Sequence, residues 1–129
     1  MAKILIVDDS PTHTATTRKI LEAAGYEVIT ADNGSAGIEV AKSVKPDLIL
    51  MDVVMPELNG FQATRKLTQD PETSHIPVIL LTAKANIESK IEGLSYGADD
   101  YITKPFSVSY FIARIENLLN QRNRLQNIF

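Results

Sequence analysis

The chain contains no cysteine and no tryptophan, and only 6% of its 129 residues are aromatic. Without cysteine, disulfides and thiolate metal sites are excluded. With so few aromatics, a base-stacking surface for nucleic acid is disfavoured. Positive charge is also short: 13 Lys and Arg stand against 16 Asp and Glu, for a net charge of −3. The sequence therefore lacks the basic footprint of a module that binds nucleic acid directly. No apolar run approaches the roughly 20 residues that span a bilayer. Met1-Ala2-Lys3 leads straight into a strand-like run and leaves no room for a signal peptide, so a cytoplasmic protein is expected. What remains is ordinary for one globular core: 44% hydrophobic and 22% charged residues.

Strand-like and helix-like patterns alternate along the chain. Residues 3–7 are an apolar run after Lys3, as for a strand buried on both faces. Ser10 offers an N-cap and Pro11 a first helical position, and a helix is expected to about Ala24, with Thr17, Ile20, Leu21 and Ala24 on one face and Gly25 at its end. Residues 26–30 read as a second strand. Asn33-Gly34 makes a turn into a helix that runs to about Val44. A third strand is expected at 47–51, a helix from Gly60 to about Gln69, and a polar connector at 70–74. A fourth strand follows at 77–81, a helix from about Ile87 to Tyr96, a short strand near 100–103, and a last helix from near Ser107 past Leu119. Five β-α units in a row imply a parallel sheet covered by helices on both faces, with right-handed crossovers.

Polar residues stand at the ends of four of these runs. Asp8 and Asp9 follow the first, Asp52 the third, Thr82 the fourth, and Lys104 with Pro105 the fifth. In a parallel sheet they all emerge at the carboxyl edge, where open α/β folds place their sites. Three carboxylates this close raise one another's pKa unless a cation neutralises them. A divalent ion such as Mg²⁺ (or Mn²⁺), which takes carboxylate and phosphate oxygens, would balance the three carboxylates and Lys104. With Asp52 as nucleophile, the set suits formation of an aspartyl phosphate. Lys104 would pair with a phosphoryl oxygen, and catalysis would be mainly positioning and charge stabilisation. An acyl phosphate of about −2 leaves the site about one charge too negative. The Thr82 hydroxyl and the amide after Asp52 are placed to absorb that excess. Such a pull on Thr82 would move the segment after it.

The pieces ILIVDDSP, LILMDVVMPELNG, VILLTA and GADDYITKPF, in this order and spacing, resemble the receiver domain of bacterial two-component response regulators over essentially the whole chain. The resemblance implies a flavodoxin-like fold with strand order 2-1-3-4-5. It implies Asp52 as phosphoacceptor, with Asp9, Asp52 and the Val54 carbonyl as direct Mg²⁺ ligands and Asp8 acting mainly through water. It implies Thr82 as the switch hydroxyl, Lys104 as the phosphate-pairing lysine, Tyr101 at the aromatic switch position, and a cis Lys104-Pro105 bond. A histidine kinase or phosphotransfer protein would be the phosphoryl donor. Such a domain promotes its own phosphorylation and slow dephosphorylation without being a turnover enzyme. Residues two beyond the acceptor and two beyond the switch hydroxyl tune attack by water in this family. Here they are Val54 and Lys84, and an apolar Val54 cannot orient a water.

Plainer readings stand beside these. Strand-end Asp residues commonly cap helices, a lone Thr82 would be a cap, a lone Lys104 a solvated lysine, and Tyr101 a half-buried strand aromatic. His13 and His75 read as surface residues without partners. Gly34-Ser35-Ala36-Gly37 resembles a fragment of a glycine-rich loop but does not follow the first strand. An aspartate-nucleophile phosphatase would carry a D-x-D pattern and a cap domain, whereas here two Asp are adjacent in a short chain. A docking module that is never phosphorylated would not need the complete acidic set.

The receiver is expected over 1–120, and 121–129 as a helical extension or the start of a linker. The stripe Phe111, Ile115, Leu118, Leu125 and Phe129 fits either a core face that ends at Leu119 or a helix that continues as a contact. A homodimer through the fourth helix, fifth strand and fifth helix is the associated expectation. The part through DPETSHIP is similar to stand-alone receivers of the twitching-motility and chemotaxis type. The part from TAKANIESKIEGLSYGADDY through IENLLNQRNRL resembles receivers of hybrid histidine kinases with an AraC-type output domain.

Overall fold

The computed structural model describes residues 1–128, and the side-chain surroundings of residues 1–122. The elements are β1 (Lys3–Val7), α1 (Pro11–Ala23), β2 (Glu27–Ala31), α2 (Gly34–Val44), β3 (Leu48–Met51), α3 (Gly60–Gln69), β4 (Val78–Thr82), α4 (Ile87–Ser95), β5 (Asp100–Thr103) and α5 (Val108–Ile128). The five strands form one parallel sheet in the order β2-β1-β3-β4-β5. This is the flavodoxin-like topology expected from the sequence.

Because side chains alternate along a strand, each strand feeds two cores. Leu5, Val7, Ile49, Met51, Val78 and Leu80 meet Phe61 and Leu67 of α3 on one face. Ile4, Ile6, Leu48, Leu50, Ile79 and Leu81 meet Leu21 of α1 and Phe111, Ile115 and Leu118 of α5 on the other. Each such burial contributes about 1.5–3 kcal/mol, which is why the strands read as unbroken apolar runs.

Helix starts follow the polar residues in the loops. Ser10 accepts from the His13 amide, Asn33 from Ala36, and Asn86 from Ser89. Asn59 and Gln62 exchange hydrogen bonds of 2.9 Å in a capping box. Boundaries differ from expectation by a residue or so, for local reasons. Tyr26 does not open β2, because its amide donates to Leu21 O and closes α1. Ala24, expected within α1 on one face with Thr17, Ile20 and Leu21, is its exposed C-cap. α5 continues through Leu119 to Ile128. The Leu125 side chain and Phe129, expected to extend its apolar stripe, lie outside the described residues.

The parallel register sets Val7 beside Met51, Met51 beside Leu80, and Thr82 beside Thr103. All the candidate residues of β1, β3, β4 and β5 therefore reach the same carboxyl edge.

Candidate functional site

The sheet's hydrogen bonding continues one residue past the strands and fixes where each side chain starts. Asp8 N donates to Ala31 O, Asp52 N to Val7 O at 2.9 Å, and Lys104 N to Thr82 O at 2.8 Å. The β3–α3 connection folds tightly onto the same edge: Gly60 N donates to Val53 O at 3.0 Å. A Cβ on Gly60 would lie 2.0 Å from the Asp52 carbonyl oxygen, so only glycine permits this approach.

Asp8 and Asp52 are both buried, and Asp52 is 9% exposed. One oxygen of each is occupied locally: Asp8 Oδ1 accepts from Ser10 N at 2.9 Å, and Asp52 Oδ1 from Val54 N at 3.3 Å. The other oxygens turn to one cation. Lys104 Nζ is 3.1 Å from Asp8 Oδ2 and 3.9 Å from Asp52 Oδ2. The Lys104-Pro105 bond is cis, as expected. Burial holds the Asp52 carboxyl above the usual carboxylate range; Lys104 pulls it down, Asp8 pushes it up, and the Thr82 hydroxyl and Val54 amide lower it again.

Thr82 is fully buried at the end of β4, and its Oγ1 accepts from Lys84 N at 3.3 Å. Lys84 O in turn accepts from the Tyr101 hydroxyl at 2.6 Å. Tyr101 is buried on β5, and burial raises its phenol pKa, with Ser89 opposing. A continuous hydrogen-bonded path thus runs from Thr82 through the Lys84 backbone to Tyr101.

The structure brings Asp8, Asp52, Thr82 and Lys104 together, with Tyr101 behind them. Two details add to the sequence reading, and one departs from it. The Val54 amide meets the Asp52 carboxylate, which closes a turn over Val53. Asp9 is exposed and, among the described residues, lies outside the group of potential ligand atoms formed by Asp8, His13 and Asp52. His13, read as a surface residue without partners, is 51% exposed but reaches the site: its Nδ1 is 3.3 Å from Lys104 Nζ and 3.9 Å from Asp8 Oδ2. The signal that could have found it is its place in the first turn of α1, above the β1 strand end. His75 sits exposed before β4, as expected.

The model of the response regulator receiver domain matches residues 4–116. The chain belongs to that family. It is 50% identical over 119 residues to Protein PilH of Pseudomonas aeruginosa, covering 92% of this chain and 98% of PilH. It is 42% identical over 126 residues to Histidine kinase P4 of Formosa agariphila, covering 98% of this chain but only 9% of that protein. Both alignments run through nearly the whole receiver, so neither resemblance is confined to one half. Among solved structures, the receiver domain of the sensor histidine kinase PA1611 from Pseudomonas aeruginosa superimposes with a TM-score of 0.86 at 29% identity. It covers 92% of this chain and 98% of that one, and it carries a magnesium ion in its active-site cleft. The chain is thus a phosphoacceptor signalling domain of two-component systems. No helix among the described residues is long and apolar enough to cross a membrane.

Proposed function

We propose that Asp52 is the phosphoacceptor, taking its phosphoryl group from a phosphohistidine of a histidine kinase or phosphotransfer protein. An Asp52 oxygen forms a bond to phosphorus as the phosphorus–nitrogen bond to the donor imidazole breaks, and the departing imidazole takes up a proton. The observation that carries this reading is the convergence of buried Asp52, Asp8 and Lys104, with Thr82 alongside, at one strand edge.

The donor set suits a hard divalent cation. Two buried carboxylates share a single ammonium through one oxygen each, which leaves charge that a divalent cation can meet. Asp9, Asp52 and the Val54 carbonyl would hold Mg²⁺ directly, with Asp8 acting through water. The ion would supply positive charge to the phosphoryl oxygens. Lys104 is placed to exchange its carboxylate contacts for a phosphoryl oxygen. Phosphorylation leaves about one excess negative charge, which the Thr82 hydroxyl can meet by donating to a phosphate oxygen. That movement would strain the Lys84 amide contact on Thr82 and, through Lys84 O, the anchor of Tyr101.

The surface that would read this change is the face of α4, β5 and α5. Ile87, Ile91, Leu94 and Tyr110 are exposed there, and a homodimer through this face is part of the proposal. Residues 1–120 would form the receiver, with 121–129 as a helical extension or linker. Val54, 59% exposed and apolar, offers no group to orient an attacking water, so the phospho-form should be long-lived.

Incubation with acetyl phosphate or phosphoramidate and Mg²⁺, followed by intact-mass measurement, tests the reading. One added phosphoryl mass is expected, and none would refute the acceptor role. In the same assay Val54→Asn should lose the group several-fold faster than the native chain; an equal or slower loss would refute the role given to Val54.

A further inference from the structure

Phosphoryl transfer gives His13 no role, yet its imidazole stands closer to Lys104 than the Asp52 carboxylate does. Its position is built rather than incidental. His13 lies in the first turn of α1, where Ser10 Oγ accepts its amide and Pro11 opens the helix. That turn carries the ring back over the end of β1.

The contact with Lys104 suits one tautomer of the ring. An ammonium has three donors and no acceptor. A separation of 3.3 Å between Lys104 Nζ and His13 Nδ1 is attractive only when Nδ1 carries the lone pair and Nε2 the proton. In that tautomer the lone pair points into the space that Asp8 and Asp52 also face. One potential ligand atom from each of Asp8, His13 and Asp52 lies within 4.8 Å of the others. A divalent ion with bonds of about 2.0–2.2 Å needs ligand atoms about 3–4.4 Å apart, so closing the group takes a few tenths of an ångström. The half-exposed His13 ring can supply that movement. The Lys104 ammonium stands among the three atoms, at 3.1, 3.3 and 3.9 Å, as a built-in cation.

We propose that Asp8, His13 and Asp52 form a site for imidazole-seeking divalent ions of the Zn²⁺ class, in competition with Lys104. Two oxygens and one nitrogen, with a fourth position open to water, suit Zn²⁺, whereas Mg²⁺ favours oxygen ligands throughout. His13 thus sets metal preference rather than adding to general cation affinity. The regulatory consequence rests on the acceptor role proposed for Asp52: an ion held here displaces Lys104, the cation that would pair with the phosphoryl group, so Zn²⁺ would oppose phosphorylation.

Titration calorimetry of the native chain and His13→Ala with Zn²⁺ and, separately, with Mg²⁺ tests the site without any phosphoryl donor. Zn²⁺ should bind the native chain one to one, and His13→Ala should weaken it at least tenfold while changing Mg²⁺ affinity less than about twofold. The ring signals of His13 should shift on adding Zn²⁺ in an NMR titration, with those of His75 as the internal control. Equal losses for both metals, unchanged Zn²⁺ binding, or a shift confined to His75 would overturn the proposal. If the metal results hold but acetyl phosphate adds no mass, the site stands and the acceptor reading falls.

Discussion

Both edges of this sheet carry aspartates, and they are treated in opposite ways. At the amino edge, Asp47 accepts from Lys3 N at 2.8 Å through one oxygen and from Arg122 Nη1 at 2.7 Å through the other. Asp99 accepts from Val78 N at 2.8 Å. These carboxylates tie strand starts to their neighbours. At the carboxyl edge, Asp8 and Asp52 each satisfy one oxygen locally and leave the other to share Lys104. Burial raises the carboxyl of Asp99 as well as that of Asp52, so burial alone does not distinguish the two edges. What separates them is convergence: two carboxylates on one cation leave charge unmet, and unmet charge is what a metal and a phosphoryl group can use.

The largest predicted contrast is chemical. Asp52→Asn should abolish the phosphoryl mass gained from acetyl phosphate with Mg²⁺, while Asp47→Asn should retain it within about twofold; intact-mass time courses check both. Equal loss in the two variants would break the comparison. Next comes the backbone that frames the acidic edge. Gly60→Ala forces a Cβ against the Asp52 carbonyl, and should destabilise the fold by about 3 kcal/mol or more, read by urea unfolding. At the amino edge, Arg122→Ala removes contacts to both the carboxylate and the carbonyl oxygen of Asp47. Its cost should be smaller, about 1–3 kcal/mol, with phosphorylation kept. A variant that lost phosphorylation while remaining folded would show that the two edges are not independent.

Much of this contrast is legible in the amino-acid sequence. Unbroken apolar runs such as Leu48-Ile49-Leu50-Met51 suit strands buried on both faces, and the five-fold alternation then dictates a parallel sheet. Strand ends follow from the runs, which places Asp8, Asp52, Thr82 and Lys104 on one edge. The receiver motifs supply the strand order, which periodicity alone leaves open.

Other features depend on distances across the sequence or on local turns. The reach of His13 to Lys104 spans 91 residues, and its only trace in the sequence is the place of His13 in the first turn of α1. The pairing of Asp47 with Arg122 is equally non-local and leaves no mark in the pattern of either segment. The turn that brings the Val54 amide onto the Asp52 carboxylate is set by how tightly the chain folds back after Asp52, which residue types do not encode singly.

Thermal unfolding of Asp52→Asn and Asp47→Asn in EDTA, followed across pH, tests the central claim most directly. The Asp52 carboxyl is held above its unfolded value, so the native chain binds that proton more tightly than the unfolded chain does. Native stability therefore falls as pH rises from the ordinary carboxylate range through the raised value, a loss that Asn escapes. Asp52→Asn should raise the melting temperature by a few degrees at neutral pH, and the gain should fade as pH falls below the ordinary carboxylate range. Asp47→Asn should lower the melting temperature at neutral pH, because Arg122 loses its charge partner. Shifts of opposite sign are the predicted result; two losses, or a gain from Asp52→Asn that persists in acid, would contradict the account.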